Sequence, residues 1–212
     1  MDKLIKKMQN SGFLNDDNVE STFRNTPRDK FVPKSEFDKA YCDRPLQIMK
    51  NQTISQPSVV SRMIEWLDIK DGQNILEVGT GSGWQTGILS YLVKTGTIYS
   101  VEIHPELTKF AKENLDKLDI DNVHLILGDG SMGYPKASPY DRIVISASCT
   151  KIPSPLFEQL AENGLIVAPI GDSFQSLVLL KKTLGKIIEV QNQPNYVFVP
   201  LLGKFGKDIK QI

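Results

Sequence analysis

The 212-residue sequence predicts an α/β fold whose core is a doubly wound, mostly parallel sheet. Two observations lead to this prediction. Short apolar strands alternate with helical patterns between residues 74 and 170, the order expected of parallel strands joined by crossover helices. Three glycines directly follow the first of these strands, where a doubly wound sheet binds its ligands. We also expect an N-terminal helical cap and an antiparallel C-terminal β portion.

The N-terminal third is predicted to be partly helical and partly irregular. Residues 1–50 are polar with short apolar pieces and fit one or two helices followed by a loop. The apolar side chains of residues 58–67 fall on one helical face, and Pro57 stands where a helix begins. We expect one domain, with a cap and loop over residues 1–70, a ligand-binding core over 71–171 and the β portion over 172–212.

The core is predicted to hold five strands and three helices. Strand 75–78 precedes helix 84–93, and strand 97–101 precedes a helix with an apolar stripe over 107–118. Further strands are expected at 123–127 and 142–146, then a helix at 155–160 ended by Gly164 and a strand at 165–170. The stretches 177–181, 187–190 and 196–201 are β-like without crossover helices, so we expect them to be antiparallel.

Composition excludes several classes of function. Basic and acidic side chains balance at 25 each, so no overall positive field draws the chain to nucleic acid or an anionic membrane. Cys42 and Cys149 lie far apart, with only two histidines as further soft ligands, so we expect no metal site and no disulfide. No apolar run approaches the ~20 residues of a membrane span. We therefore expect a soluble, cytoplasmic monomer.

The glycine loop Gly79-Thr80-Gly81-Ser82-Gly83 occupies the turn between the first strand and its helix. Glycine permits positive φ and close approach of a ligand, and the helix start offers unpaired N–H groups. The spacing is G-x-G-x-G, preceded by Glu77, whereas dinucleotide enzymes favour G-x-G-x-x-G. The pattern therefore disfavours a nicotinamide-dependent oxidoreductase.

This loop resembles the first motif of the S-adenosylmethionine-dependent methyltransferases, which implies a Rossmann-like class I fold. Glu102 ends the second strand 23 residues after Gly79, close to the spacing at which a carboxylate accepts hydrogen bonds from ribose hydroxyls. Asp129 follows the third strand, where this fold places an acidic side chain by the adenine amine; alone, each would also fit an exposed strand end or a turn. The residues predicted at the cofactor are Thr53, Ile54, Ser55, Glu77, Val78, Gly79, Thr80, Gly81, Ser82, Gly83, Gln85, Glu102, Ile103, His104, Gly128, Asp129 and Gly130.

Residues outside the cofactor motifs narrow the resemblance. The run Gln52-Thr53-Ile54-Ser55-Gln56-Pro57 is similar to the signature loop of the protein-L-isoaspartate (D-aspartate) O-methyltransferases, and the likeness covers about residues 24–203. The other pieces that agree, in chain order, are Arg28-Asp29-Lys30-Phe31-Val32-Pro33, Ala40-Tyr41-Cys42-Asp43, the stretch Leu76 to Gln85 that contains the glycine loop, Gly128-Asp129-Gly130, Ala137-Ser138-Pro139-Tyr140-Asp141 and Phe198-Val199-Pro200-Leu201.

The resemblance implies methyl transfer from S-adenosylmethionine to the free α-carboxylate of L-isoaspartyl residues in damaged proteins and peptides, with S-adenosylhomocysteine as product. It places Ser55 at the meeting point of cofactor and substrate, as the catalytic residue. The alternative is that Ser55 only caps the helix that begins near Pro57. The residues predicted at the substrate are Ser55, Gln56, Pro57, Val199 and Pro200. No acid–base role is expected of His104 or His124.

Three departures from the family pattern flank the expected peptide cleft. Residues 47–53 lack both glycines of the usual P-I-G-x-G-Q-T, residues 145–149 replace the usual V-T-A-A, and Tyr134 replaces a frequent tryptophan. These changes leave open a different peptide preference. Two alternative functions are an RNA methyltransferase and a non-catalytic peptide-binding module. The first would need a basic face and base-stacking aromatic residues, which the balanced charge disfavours, and the intact signature loop disfavours the second.

Overall fold

A computed structural model describes residues 1–208. The cap contains two helices, α1 (Asp2–Asn10) and α2 (Asp17–Asn25), and two 3-10 turns, Arg28–Phe31 and Lys34–Lys39. Asp16 precedes α2, and its side chain accepts hydrogen bonds from the N–H groups of Asn18 and Val19, which explains where this helix begins. The predicted helical and irregular character of this segment is confirmed.

A short hairpin follows the cap and was not predicted. Its strands, β1 (Leu46–Gln47) and β2 (Thr53–Ile54), pair antiparallel and contain two residues each. Its turn holds Lys50 at φ 61° and Asn51 at φ 55°. Helix α3 (Pro57–Leu67) comes next, close to the predicted range. Strands this short leave no period-2 pattern in a sequence, so only the paired structure reveals them.

The central sheet has seven strands in the order β5-β4-β3-β6-β7-β8-β9. The pairs from β5 through β7 are parallel, and β7, β8 and β9 pair antiparallel, as predicted. Three crossover helices connect the parallel strands. The strands are β3 (Asn74–Val78), β4 (Thr97–Glu102), β5 (Val123–Leu127), β6 (Tyr140–Ile145), β7 (Leu160–Gly171), β8 (Gln175–Thr183) and β9 (Lys186–Tyr196), and the helices are α4 (Trp84–Val93), α5 (Pro105–Asp116) and α6 (Ser154–Gln159).

Two predicted boundaries are wrong. Gly164 does not end a helix, because α6 stops at Gln159 and Gly164 lies within β7, where a Cβ would come within 2.7 Å of the Leu160 side chain. The stretch 196–201 does not form a strand of its own. After β9 ends at Tyr196, this stretch makes one isolated bridge, between Pro200 and Ser148, and proline cannot donate to a ladder.

The sheet buries one apolar cluster on each face. Ile75 faces a cluster shared with the cap, α3 and α4, whereas Leu76 faces a cluster shared with α6 and the segment around Leu201, as alternation along a strand requires. The cap therefore packs directly on one sheet face. Within residues 1–208 no helix combines the length and apolar character needed to cross a bilayer.

The strand order changes direction between β3 and β6. The chain runs outward from β3 to β5 and then returns to place β6 on the other side of β3. Backbone hydrogen bonds continue past the strand ends, from Gly79 N–H to the Val101 carbonyl and from Ser146 N–H to the Val78 carbonyl, each 2.9 Å. A crevice at the carboxyl ends of β3, β4 and β6 results, the position at which open α/β sheets bind ligands.

Candidate active site

The glycine loop needs its glycines mainly for backbone conformation. Gly79, Gly81 and Gly83 have φ of 93°, 56° and 84°, a region that side chains strain. Gly83 is also crowded, because a Cβ there would lie 3.2 Å from Cβ of Ala111 on α5. Gly83 precedes the first turn of α4, so the loop turns sharply from β3 into that helix.

Glu77 lies under this loop, fully buried, and forms the centre of a polar network. Its Oε2 accepts hydrogen bonds from the hydroxyls of Thr86 (2.5 Å) and Ser100 (2.6 Å), and its Oε1 accepts one from Gln85 Nε2 (3.0 Å). Burial raises the pKa of Glu77 to about 7, against the effect of these three donors. Thr80 contacts the Ser100 hydroxyl at 2.6 Å, which ties the loop itself to the network.

Glu102 ends β4 beside the loop. Its Oε2 accepts a hydrogen bond from Gly81 N–H at 2.9 Å, and its Oε1 accepts from the N–H groups of Ile103 and His104, each at 3.0 Å. A carboxylate has about four lone-pair sites, so one remains for a ligand hydroxyl. Glu102 thus orders the backbone around it and still offers an acceptor to the crevice.

A first cavity occupies the crevice. Most of the predicted site residues line it. They are Thr53, Ile54, Ser55, Val78, Gly79, Thr80, Gly81, Ser82, Gln85, Glu102, Ile103, His104, Gly130, Val199 and Pro200.

Six predicted site residues lie outside the first cavity. Glu77 is enclosed below the loop, Gly83 faces Ala111, and Pro57 is buried as the first residue of α3. The remaining three, Gln56, Gly128 and Asp129, line neighbouring cavities.

Asp129 is engaged by the chain itself. Its carboxylate accepts hydrogen bonds from the N–H and hydroxyl of Ser131 at 2.9 and 2.6 Å and from the N–H of Lys204 at 2.7 Å. Together with Gly128 and Ile103 it lines a cavity that meets the first one at Ile103. In this arrangement Asp129 anchors the segment after Gly203 beside the end of β5.

A second cavity opens between the cap and the segment after β9. It is lined by side chains of α1, the hairpin, the start of α3 and residues 193–199. Four residues line both cavities: Thr53, Ser55, Ser146 and Val199. We call these four residues the junction, since a molecule in one cavity and a molecule in the other meet there.

Ser55 presents an unengaged hydroxyl at the junction. Within residues 1–208 its Oγ has no hydrogen-bond partner, while its carbonyl accepts a hydrogen bond from Arg28 Nη2 at 2.9 Å. The N-cap of α3 is Gln56, and the Ser58 N–H is bound by Asp43 Oδ1 at 3.0 Å. The structure therefore does not show Ser55 acting as a helix cap.

The guanidinium of Arg28 holds the backbone behind Ser55. It is fully buried and donates hydrogen bonds to five carbonyls, over distances of 2.8 to 3.4 Å, and lies 5.1 Å from the ring centre of Trp84. Burial lowers the pKa of Arg28 to about 10, so it remains protonated at neutral pH. The five carbonyls belong to Ala40, Cys42, Arg44, Ile54 and Ser55.

Sequence reasoning missed several residues at the first cavity. Ser146 was compared with the family pattern but given no role, although its place directly after β6 is a ligand position in this fold. Tyr134, expected near the peptide cleft, lines neither cavity and stacks on Tyr99 at 5.8 Å. The other missed lining residues are Gln52, Val60, Trp84, Val101, Leu107, Ala147, Leu201 and Leu202.

The sheet order, the left-handed glycine loop and the acidic side chain ending β4 define an S-adenosylmethionine-dependent methyltransferase of Rossmann-like fold. A family model described as protein-L-isoaspartate (D-aspartate) O-methyltransferase matches residues 1–206. The chain belongs to this family.

Similar proteins and solved structures support the same family assignment. Proteins named protein-L-isoaspartate O-methyltransferase from Pyrococcus abyssi and Methanococcus maripaludis strain C6 are 42% and 44% identical, covering 96% of this chain and 95% and 96% of their own. A solved structure of that name aligns with TM-score 0.88 at 30% identity over 97% of this chain and 67% of its own. A Plasmodium falciparum protein assigned to the same class, solved with S-adenosylhomocysteine, aligns with TM-score 0.84 at 27% identity over 94% and 97%. The predicted family, fold class and enzyme class are confirmed.

The first cavity fits S-adenosylmethionine. Glu102 retains an acceptor for a ribose hydroxyl, and the loop places backbone rather than side chains against the cavity. The cavity also reaches the junction, where the reactive end of a bound cofactor would meet a peptide.

Proposed function

We propose that this chain transfers a methyl group from S-adenosylmethionine to the free α-carboxylate of L-isoaspartyl residues in damaged proteins and peptides. The methyl ester then closes to a succinimide without the enzyme, and its hydrolysis restores some normal aspartyl linkages. The observation that carries the proposal is the junction, because it gives a methyl donor in the first cavity and a peptide in the second one point of contact.

The reaction requires positioning more than acid–base chemistry. A peptide α-carboxyl group with a pKa of ~3.5 is ionised at neutral pH, so its oxygen attacks without a general base. Bound S-adenosylmethionine supplies an activated methyl group, whose departure leaves S-adenosylhomocysteine. The residues at the junction hold the carboxylate oxygen in line with that methyl carbon and exclude water. We assign the orienting hydrogen bond to the hydroxyl of Ser55, which directs the carboxylate without neutralising it.

The distance between the free carboxylate and the main chain explains how such a site distinguishes isoaspartate from aspartate. In an isoaspartyl linkage the main chain runs through the side-chain carbonyl, so the free carboxylate stands directly on the α-carbon. A normal aspartate holds its carboxylate one methylene further from the chain. The walls of the second cavity include residues 193–199, and we expect backbone of this segment to hydrogen-bond a peptide as a strand would. A displacement of ~1 Å costs about 100-fold in rate. A site that binds the peptide backbone in a fixed position therefore methylates the isoaspartyl carboxylate faster than the aspartyl one.

The test is transfer of labelled methyl to an isoaspartyl peptide and to the aspartyl peptide of the same sequence. We expect the isoaspartyl peptide to be methylated at least ~100-fold faster, with chelator harmless. Equal rates on the two peptides would contradict the repair function and leave a methyltransferase of another specificity.

We further propose that the chain acts as a monomer in the cytoplasm, on isoaspartyl proteins and peptides and without a nucleic-acid or membrane partner. The 25 basic and 25 acidic residues of the chain leave no net charge that would favour a nucleic-acid or membrane partner. Light scattering should give a mass near 23.7 kDa, and a doubled mass would overturn the monomer.

A further inference from the structure

We propose that Ser146 supplies a second hydroxyl that binds the acceptor carboxylate together with Ser55, and that Gln85 and Glu77 are positioning residues that hold this hydroxyl in its donor orientation. The inference rests on the proposed function, since it assigns a role to residues at the same junction. It also accounts for a buried carboxylate under the glycine loop that does not line the cofactor cavity.

Ser146 lies where cofactor and peptide meet. It directly follows β6, and its N–H is held by the Val78 carbonyl at 2.9 Å. It is one of the four junction residues, three of which carry a hydroxyl: Thr53, Ser55 and Ser146. A Cβ placed on Gly79 would lie 3.6 Å from Cβ of Ser146, so the absence of a side chain at Gly79 leaves space around it.

The hydrogen bonds of Gln85 determine which way the Ser146 hydroxyl points. When Glu77 is ionised, its carboxylate only accepts hydrogen bonds, so the Gln85 atom that faces it at 3.0 Å is the amide nitrogen. The same nitrogen lies 2.8 Å from Ser146 Oγ. Its second hydrogen is therefore donated to Ser146, whose oxygen acts as the acceptor.

One hydrogen of Ser146 is then left over. Because its oxygen accepts from Gln85, its own O–H cannot point back at that amide. Within residues 1–208 this O–H donates to no acceptor. A substrate carboxylate at the junction has the acceptor oxygens that this O–H would bind.

A second hydroxyl has a clear chemical use. A carboxylate oxygen that attacks the methyl carbon must keep a lone pair free, whereas the other oxygen has two lone pairs for donors. Two neutral donors fix the plane of the carboxylate, which a single hydrogen bond leaves free to rotate. Neither donor neutralises the charge on the attacking oxygen.

The test compares Ser146→Ala with wild type, using an isoaspartyl peptide and S-adenosylmethionine. We expect kcat to fall by about 10-fold or more, as for loss of a hydrogen bond to a charged group, with the Kd of S-adenosylhomocysteine within two-fold. Ser146→Thr keeps the hydroxyl and should recover most of the turnover. Ser90→Ala is the matched control, since that serine is also hydrogen-bonded to a neighbouring side chain, Asn122 at 2.5 Å, but lines neither cavity.

The positioning role of Gln85 is tested by comparing the effects on kcat of Gln85→Leu and Ser146→Ala, alone and combined. Gln85→Leu should lower kcat, and adding Ser146→Ala to it should lower kcat little further, because both changes remove one oriented hydroxyl. Full additivity of the two effects would overturn the positioning role. Turnover of Ser146→Ala within two-fold of wild type would overturn the inference alone. Failure of wild type to methylate the isoaspartyl peptide in this assay would overturn the proposed function as well.

Discussion

Ser55 has an unengaged hydroxyl at the junction and no part in capping α3. Ser55→Ala should therefore lower kcat about 10-fold or more while leaving the affinity for S-adenosylhomocysteine within a few-fold and the free energy of unfolding unchanged. Steady-state kinetics, calorimetry and urea unfolding on one preparation measure all three quantities. A loss of about 1 kcal/mol in stability with intact turnover would identify a cap instead.

Glu77 makes folding sensitive to pH in a direction opposite to that of most carboxylates. Its pKa rises from 4.5 to about 7 on burial. Between these values the unfolded chain has released the proton and the folded chain keeps it, so the free energy of unfolding falls as pH rises. The shift corresponds to about 3 kcal/mol.

The variant Glu77→Gln removes this titration. The stability of wild type relative to Glu77→Gln should fall by about 3 kcal/mol between pH 4.5 and pH 8, since the folded carboxyl must ionise in a buried site. Urea unfolding of both proteins at several pH values measures the difference. If that difference stays constant with pH, Glu77 is not held with a raised pKa.

The hairpin β1–β2 forms its turn without the two glycines that the family pattern has between residues 47 and 53. Its two turn residues, Lys50 and Asn51, both have positive φ, the requirement of a type I′ turn. Asparagine tolerates this region better than other side chains. The Lys50 ammonium also forms an ion pair with Glu106 at 3.0 Å, at the start of α5, which connects the turn to the core.

Substitutions at Asn51 test this turn. Asn51→Ala should lower the free energy of unfolding by about 1 kcal/mol, because alanine is strained at positive φ, and Asn51→Gly should stay within about 0.5 kcal/mol of wild type. Asn10→Ala at the helical end of α1 is the control and should cost little, because its backbone there is α-helical and alanine is a strong helix former. Equal losses in Asn51→Ala and Asn51→Gly would show that the side chain, not the backbone, matters.

At the scale of the whole molecule, Arg28 joins the cap to the catalytic core. Its guanidinium binds carbonyls on both sides of the hairpin, and no carboxylate within residues 1–208 forms an ion pair with it. A buried cation without such a partner is costly, so its many carbonyl contacts must compensate. Arg28 thereby couples the stability of the cap to the position of Ser55.

Arg28→Lys should destabilise the protein by roughly 3 kcal/mol or more and reduce turnover, because an ammonium cannot reach the carbonyls that a planar guanidinium spans. Arg24→Lys is the control: Arg24 pairs with Asp2 and Glu20 at the surface, and exposed pairs contribute little. Urea unfolding and methyl-transfer rates measure both variants. Similar stability losses in the two would contradict a special role for Arg28.

Local patterns predicted the elements whose signals are local. Helix α4 and strand β5 have the predicted bounds, Trp84–Val93 and Val123–Leu127, because glycines mark a border of each: Gly83 directly precedes the helix and Gly128 directly follows the strand. Gly164 was misplaced because glycine ends helices and also occupies crowded strand positions, and only the neighbouring Leu160 side chain distinguishes the two. The hairpin escaped prediction because two-residue strands have no periodicity.

Consecutive residues predict the parallel sheet, the cofactor loop and the family, since strand and helix periods and the G-x-G-x-G spacing are local patterns. Which polar residues face the cavities depends instead on how distant segments pack. This packing encloses Glu77, engages Asp129 with Lys204 and brings Ser146 to the junction. The physical reason is distance along the chain: Gln85 and Ser146 are 61 residues apart, and their hydrogen bond forms only when β3 and β6 pair.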